Sequence, residues 1–256
     1  TYYYYDANGE LHKGWLNTEN GYYYLNLSTG KMTVGWEKIN NKWYYFQGNG
    51  VMATGWVKDN GKYYYMLTDG TMHTGWVSID GVYYYLGDSG AMATGWVNMD
   101  NGWYYFDPND GKCTVNSARE IKDSWYMFGS DGKMVTGWQQ VDGGYYYFHT
   151  DGKMLTGWLS DGTNSYYMDP ANGRMSTGWK QIENSYYYFN NSGHKLTGWI
   201  QIDGTYYYLN PSDKGRMAAN TTLKIDGVSY TFAANGACTT SNGNALNVSN
   251  NNNTNS

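Results

Sequence analysis

Positive charge is scarce in this chain. Lys and Arg number 17 against 22 Asp and Glu, for a formal charge of -5, and the cations are scattered singly. A nucleic-acid surface needs a basic face, so no nucleic-acid partner is expected; a mildly acidic surface suits a cationic or neutral one. No apolar run approaches the roughly 18 residues that a membrane-crossing helix requires, so no membrane insertion is expected either, and no signal peptide stands at the start. Two cysteines make no disulfide framework. The four histidines, His12, His73, His149 and His194, have no recurring nucleophile beside them, which leaves no Ser-His-Asp or Cys-His set. His and Asp do not cluster at metal-ligand spacing, so neither a metal nor a cofactor is expected, and an enzyme is the weakest class. Asp59, Asp69 and Asp80 recur because turns favour them.

Aliphatic residues are also few. Leu, Ile and Val together number 30 against 48 aromatic residues, so most of the apolar area available for burial is flat and polar-tipped, a surface that packs and also recognises ligands. The aromatics are periodic. Gly-Trp pairs place Trp15, Trp36, Trp56, Trp76, Trp96, Trp138, Trp158, Trp179 and Trp199 at intervals of 20 or 21 residues, with one double gap of 42. In that gap Asn116-Ser117 stands where Gly-Trp is expected, and further degenerate registers fall near Thr221 and Asn242. Seven residues after nearly every tryptophan begins an aromatic run such as Trp43-Tyr44-Tyr45 or Tyr63-Tyr64-Tyr65, and four residues before it is usually methionine: Met32, Met52, Met72, Met92, Met134, Met154, Met175.

A period this short signals a repeat array. Between each tryptophan and its run lie dipeptides such as Asn60-Gly61, Asp80-Gly81, Asn101-Gly102 and Asp203-Gly204, which tolerate the positive φ of a two-residue hairpin turn. A second signal, as in Asn49-Gly50, Asp69-Gly70 or Asp151-Gly152, links one hairpin to the next. Frequent glycine and β-forming residues disfavour helix. One hairpin is marginal alone, so stability must come from stacking on neighbours. The expected fold is all-β, a solenoid of about 12 stacked hairpins over residues 1–240, degenerate near 113–124 and 217–240, with a flexible Asn-rich tail over 241–256. Thr1-Tyr2-Tyr3-Tyr4-Tyr5 reads as the second strand of a repeat, so an upstream segment is expected before it. Along each aromatic run the side chains alternate, the first and third rings to one side and the middle ring to the other.

The unit Thr54-Gly55-Trp56-Val57-Lys58-Asp59-Asn60-Gly61-Lys62-Tyr63-Tyr64-Tyr65, followed by Asp69-Gly70-Thr71-Met72, resembles the choline-binding, or cell-wall-binding, repeat of Gram-positive surface proteins, and the resemblance extends to about residue 240. It implies a left-handed superhelix of hairpins on a secreted, cell-surface protein, with choline of teichoic acids held between successive units. It also implies pockets made of the Gly-Trp tryptophan and first ring of one repeat with the middle ring of the next. Carried over, the candidate pockets are Trp15, Tyr22 and Tyr44; Trp36, Trp43 and Tyr64; Trp56, Tyr63 and Tyr84; Trp76, Tyr83 and Tyr104; Trp96, Trp103 and Tyr126; Trp138, Tyr145 and Tyr166; Trp179, Tyr186 and Tyr207; and Trp199, Tyr206 and Tyr230. A quaternary ammonium over such ring faces gains about 0.5 to 2 kcal/mol per well-placed ring.

Departures from the pattern matter. Most first rings are tyrosine, a poorer π-face than tryptophan. Ser165 removes the first ring after Trp158, which predicts a poor pocket there, and Lys195, at a methionine position, is expected to set a cation near the Trp199 repeat. Ser117, Thr221 and Asn242 stand for tryptophan in registers expected to be structural only. The tyrosine-rich first position also resembles the glucan-binding repeats of glucosyltransferases and the receptor-binding repeats of clostridial toxins, so a glycan-binding module is the alternative reading, and a structural surface fibre a third. Cys113 and Cys238 both occupy methionine positions six registers apart, too far for an internal disulfide. They read as small core substitutes or as an intermolecular link in a homodimer or fibre.

Overall fold

The computed structural model of the chain describes residues 2–99 and 102–241, without the side chains of 240 and 241. The Asn242 register and the remainder of the tail lie outside the described residues, as does Asn101 of the Asn101-Gly102 turn. The fold is all-β. Among the described residues, eleven antiparallel hairpin sheets follow one another in sequence, two of them extended by a third strand. The one helical turn among the described residues is a 3-10 turn, Pro211–Asp213. It starts where the Asn210 side chain accepts the Ser212 amide at 3.0 Å and Pro211 fixes its own φ.

The hairpins obey the turn chemistry. Asn60 and Gly61 have φ of 46° and 78°, Asp80 and Gly81 of 52° and 78°, the double positive φ of a tight turn whose twist matches that of its strands. Strand Gly55–Asp59 therefore pairs with Lys62–Met66 so that Trp56 stands opposite Tyr65, and Gly35–Ile39 pairs with Lys42–Phe46 so that Trp36 stands opposite Tyr45. A degenerate register keeps its hairpin. Ser117–Ile121 begins where the other first strands begin with glycine, so the tryptophan place falls on Ala118, one residue later than the spacing suggests. Thr222 likewise pairs with Thr231 as Trp199 pairs with Tyr208, so Thr222 and not Thr221 stands for that tryptophan. Longer linkers ahead of both strands shift the count.

The chain divides into two compact units, 1–118 with 128–134 and 119–127 with 135–256. Within each, the hairpins are coupled by a bond that sequence does not announce. After each two-stranded hairpin the chain turns back and makes a one-residue bridge to it, as between Phe46 and Met52. The amide of that bridging residue then donates to the hairpin before: Met52 to the Tyr22 carbonyl at 2.7 Å, Met72 to Trp43 at 2.8 Å, Met92 to Tyr63 at 2.8 Å, and in the second unit Met175 to Tyr145 and Lys195 to Ser165 at 2.8 Å. A backbone amide that would otherwise be stranded is satisfied by a neighbour, as buried donors must be.

Within each unit the core is made of small clusters. Phe46, Phe106, Phe128, Phe189 and Phe232 are fully buried at the end of their strands, each contributing about 1.5–3 kcal/mol. Phe46 lies with Tyr24 and Ile39, against Tyr44 and Met52. Methionine is seated on glycine: an added Cβ at Gly70 would overlap the Met52 sulfur, and one at Gly90 that of Met72. The linker glycines thus serve two ends, a positive φ and a floor flat enough for the preceding methionine. Two histidines that catalysis leaves unexplained have places of this kind. His12 and His73 each set Nε2 2.9 Å from the carbonyl oxygen of the tryptophan three residues on.

Candidate functional site

Seven of the Gly-Trp indoles, Trp15, Trp36, Trp56, Trp76, Trp138, Trp158 and Trp179, each meet two tyrosines edge-on among the described residues. Trp56 lies 5.1 Å from Tyr65, its cross-strand partner, and 5.0 Å from Tyr84 of the next hairpin. The middle ring of the run therefore crosses to the previous repeat, as strand alternation requires. The same contact joins Trp15 to Tyr44 at 5.0 Å, Trp36 to Tyr64 at 4.8 Å and Trp76 to Tyr104 at 5.1 Å in the first unit. In the second it joins Trp138 to Tyr166 at 5.0 Å, Trp179 to Tyr207 at 4.9 Å and Trp199 to Tyr230 at 4.8 Å. Edge-to-face pairs at this separation add about 0.5–1.5 kcal/mol beyond their burial. Trp138 stays 37% exposed while Tyr166 is 8% exposed, so there the indole is the open wall of a notch and the tyrosine its fixed back.

First rings complete the notch unevenly. Trp43 stands perpendicular to Trp36 at 6.4 Å, and Trp103 to Trp96 at 6.3 Å. Where the first ring is tyrosine, at Tyr22, Tyr63, Tyr83, Tyr145, Tyr186 and Tyr206, no ring contact with its own indole is found among the described residues; the shorter phenol stops short of it. Trp96 and Trp103 belong to the first unit and Tyr126 to the second.

A fourth neighbour escapes the aromatic pattern. The methionine whose amide bonds the first-ring residue belongs to the same neighbourhood: Met72, Trp36 and Tyr64 all pack against the cluster of Ala53, Val57 and Met66. Its regular spacing was the signal, but spacing alone assigns a methionine to the core. At the Trp76 register this place is taken by Cys113, whose amide bonds the Tyr83 carbonyl at 2.9 Å, and a cavity of about 270 Å³ opens between Trp76, Tyr83, Tyr104, Cys113 and Asp131. The Cys113 sulfur stands 3.1 Å from where a Gly132 Cβ would be, so the thiol only begins to fill the seat that methionine fills elsewhere. Cys113→Met is expected to raise stability by about 1–2 kcal/mol, given about 0.8 kcal/mol per buried methylene. Thermal melting of the variant checks this; a lower melting temperature would show that the seat is already full. Cys113 is a free thiol, and burial pushes it up to about 11, which keeps it protonated and slow to oxidise at neutral pH.

Carboxylates stand at these notches. Asp131 lines the Trp76 cavity. Burial and then the Asp69 carboxylate raise the phenol of Tyr44, the back wall of the Trp15 notch. Asp69 is held ionised, below the usual carboxylate range, by the Thr71 hydroxyl at 2.6 Å and amide at 2.9 Å. Negative charge behind aromatic faces favours a cation over a neutral sugar.

The Trp158 register differs. Its indole has Tyr167 at 5.1 Å and Tyr187 at 5.2 Å, but Ser165 supplies no first ring, and the Lys195 ammonium lies over the indole at 5.2 Å. The cation expected near the Trp199 repeat is thus set on Trp158 instead, because the residue at a methionine place faces the hairpin before its own.

Comparison with known proteins places this geometry. Residues 33–74, 73–118, 135–177 and 176–221 each match the model of the choline-binding repeat. No curated protein matches the chain in sequence. Among solved structures, CbpJ from Streptococcus pneumoniae is 31% identical over 93% of this chain and 96% of its own, with a TM-score of 0.65. Choline binding protein F from the same organism is 28% identical over 88% of this chain and 92% of its own, with a TM-score of 0.67. A second structure of that protein, soaked with ipratropium, is 28% identical over 89% and 98%, with a TM-score of 0.55.

Proposed function

The chain belongs to the choline-binding repeat family, and from that premise we propose that it is a non-catalytic module that anchors a surface protein to the bacterial cell wall by holding choline groups of teichoic acids. The observation that carries this reading is the recurrent notch: an indole backed by the middle ring of the next repeat, with a carboxylate beside it at Trp15 and Trp76. A trimethylammonium head group presents methyl surface to the rings and positive charge to their faces, each well-placed ring contributing about 0.5–2 kcal/mol. Notches with two indoles, as at Trp36 and Trp43, should bind more tightly than those whose first ring is tyrosine. Ipratropium, which occupies a related structure, is itself a quaternary ammonium compound.

The test is retention on a quaternary-amine resin. Millimolar choline is expected to elute the chain, and immobilised dextran is expected not to retain it. Retention that choline leaves unchanged, or dextran binding that choline does not compete, would replace choline with a glycan as the ligand. Self-association through an intermolecular disulfide at Cys113 or Cys238 is a separate matter. The raised thiol of Cys113 disfavours it, and a monomer alone on non-reducing electrophoresis removes it.

A further inference from the structure

The Trp158 register carries charges opposite to those of its neighbours. At Trp76 the linker two hairpins further on brings Asp131 to the notch, and at Trp15 the corresponding linker brings Asp69 to Tyr44. At Trp158 the corresponding linker brings Lys214. Lys195 takes the methionine place, and Arg216 follows, so three cations line one cavity of about 550 Å³ with Trp158, Ser165 and Tyr187. Lys195 and Arg216 are held in place by contacts. Lys195 Nζ lies 5.2 Å over the Trp158 indole and donates to the Lys214 carbonyl at 2.9 Å. Arg216 Nε donates to the Tyr187 hydroxyl at 3.3 Å, and its Nη1 stands 3.4 Å from Asp213 Oδ1. These bonds engage two of the five guanidinium N–H donors. Glu183 is the one carboxylate on the cavity lining.

We propose that this notch is an oxyanion site that takes a phosphate ester, in a register from which a quaternary ammonium is barred. The bar is physical: the indole already holds an ammonium belonging to the chain, and a second cation there would meet three like charges. An oxyanion meets the reverse. Lysine supplies point charges and arginine a fork that fits phosphate oxygens. Burial lowers the pKa of Lys195, a cost that a bound anion would offset by favouring the charged form. The volume exceeds what bare phosphate fills, and Leu159 and Ile182 on the wall suit the carbon skeleton of an ester. The inference does not rest on choline occupying the other notches, since it concerns a register where choline is excluded.

The test is calorimetric titration of the whole chain at low ionic strength in saturating choline. The probes are sn-glycerol 3-phosphate as a monoester, bis(glycerol) phosphate as a diester, and inorganic phosphate. One equivalent of an ester is expected to bind, undisplaced by choline and weakened by added salt. The diester binding best would point to a polymer backbone, and the monoester or inorganic phosphate binding best to a small soluble anion; either supports an oxyanion site. Lys195→Met restores the residue of the other registers and should fold, as its melting curve will report. It is expected to weaken ester binding about ten-fold or more, the usual loss for a charged hydrogen bond, and Arg216→Gln to do likewise. No heat with any of the three probes, ester binding unchanged in both variants, or displacement by choline would overturn the proposal.

Discussion

Replacing Gly70 with alanine is expected to destabilise the first unit by about 2–5 kcal/mol. Two costs add. Gly70 has φ of +80°, and an L-residue there loses about 1–2 kcal/mol to the clash of its Cβ with the backbone. The new methyl would also overlap the Met52 side chain, and overpacking of this kind costs about 1–3 kcal/mol. The two can be separated by a double-mutant cycle in denaturant, followed by tryptophan fluorescence. In a Met52→Ala background the steric share disappears, and Gly70→Ala should then cost only the backbone share. An equal cost in both backgrounds would show that Met52 is not seated on Gly70, and the account of how one repeat packs on the next would be wrong. Because contacts in such a stack pass between neighbours, the loss should stay local.

Trp56→Leu is expected to weaken choline binding at one notch while leaving the others intact. Leucine keeps an apolar body against Tyr65 and Tyr84, which stand 5.1 and 5.0 Å from the indole, but it offers no π-face. The loss of about 0.5–2 kcal/mol per ring lowers affinity at that notch by about 2- to 30-fold, so equilibrium dialysis at subsaturating choline should show fewer bound equivalents, by at most one. Large-to-small change at a ring that is 38% exposed also costs stability, so the melting curve must be recorded alongside. An unchanged number of equivalents in a folded variant would mean that the indole does not face the ligand.

Sequence made the hairpins legible because their causes are local. Asn60-Gly61 and Asp80-Gly81 need positive φ, and strand alternation sends the middle ring of each run to the previous tryptophan. The pairing of Trp36 with Tyr64 and not Tyr65 could therefore be read without coordinates, and at 4.8 Å the structure has that arrangement. What could not be read is carried by contacts between repeats. The Met52 amide bonding the Tyr22 carbonyl follows from how hairpins stack, and no property of methionine announces it. From that bond come the methionine beside the notch and the placement of Lys195 on Trp158. Counting residues put Lys195 beside Trp199, whereas backbone pairing hands its side chain to the hairpin before. Counting failed in the same way at Ala118 and Thr222, where longer linkers displace the register and strand pairing alone restores it.

A crystal structure of the chain grown in choline bears most directly on the central claim. The trimethylammonium group is expected against the indole faces of Trp15, Trp36, Trp56, Trp76, Trp138, Trp179 and Trp199, with none over Trp158, where Lys195 lies. Notches left empty at saturating choline, or choline found only at Trp158, would contradict it.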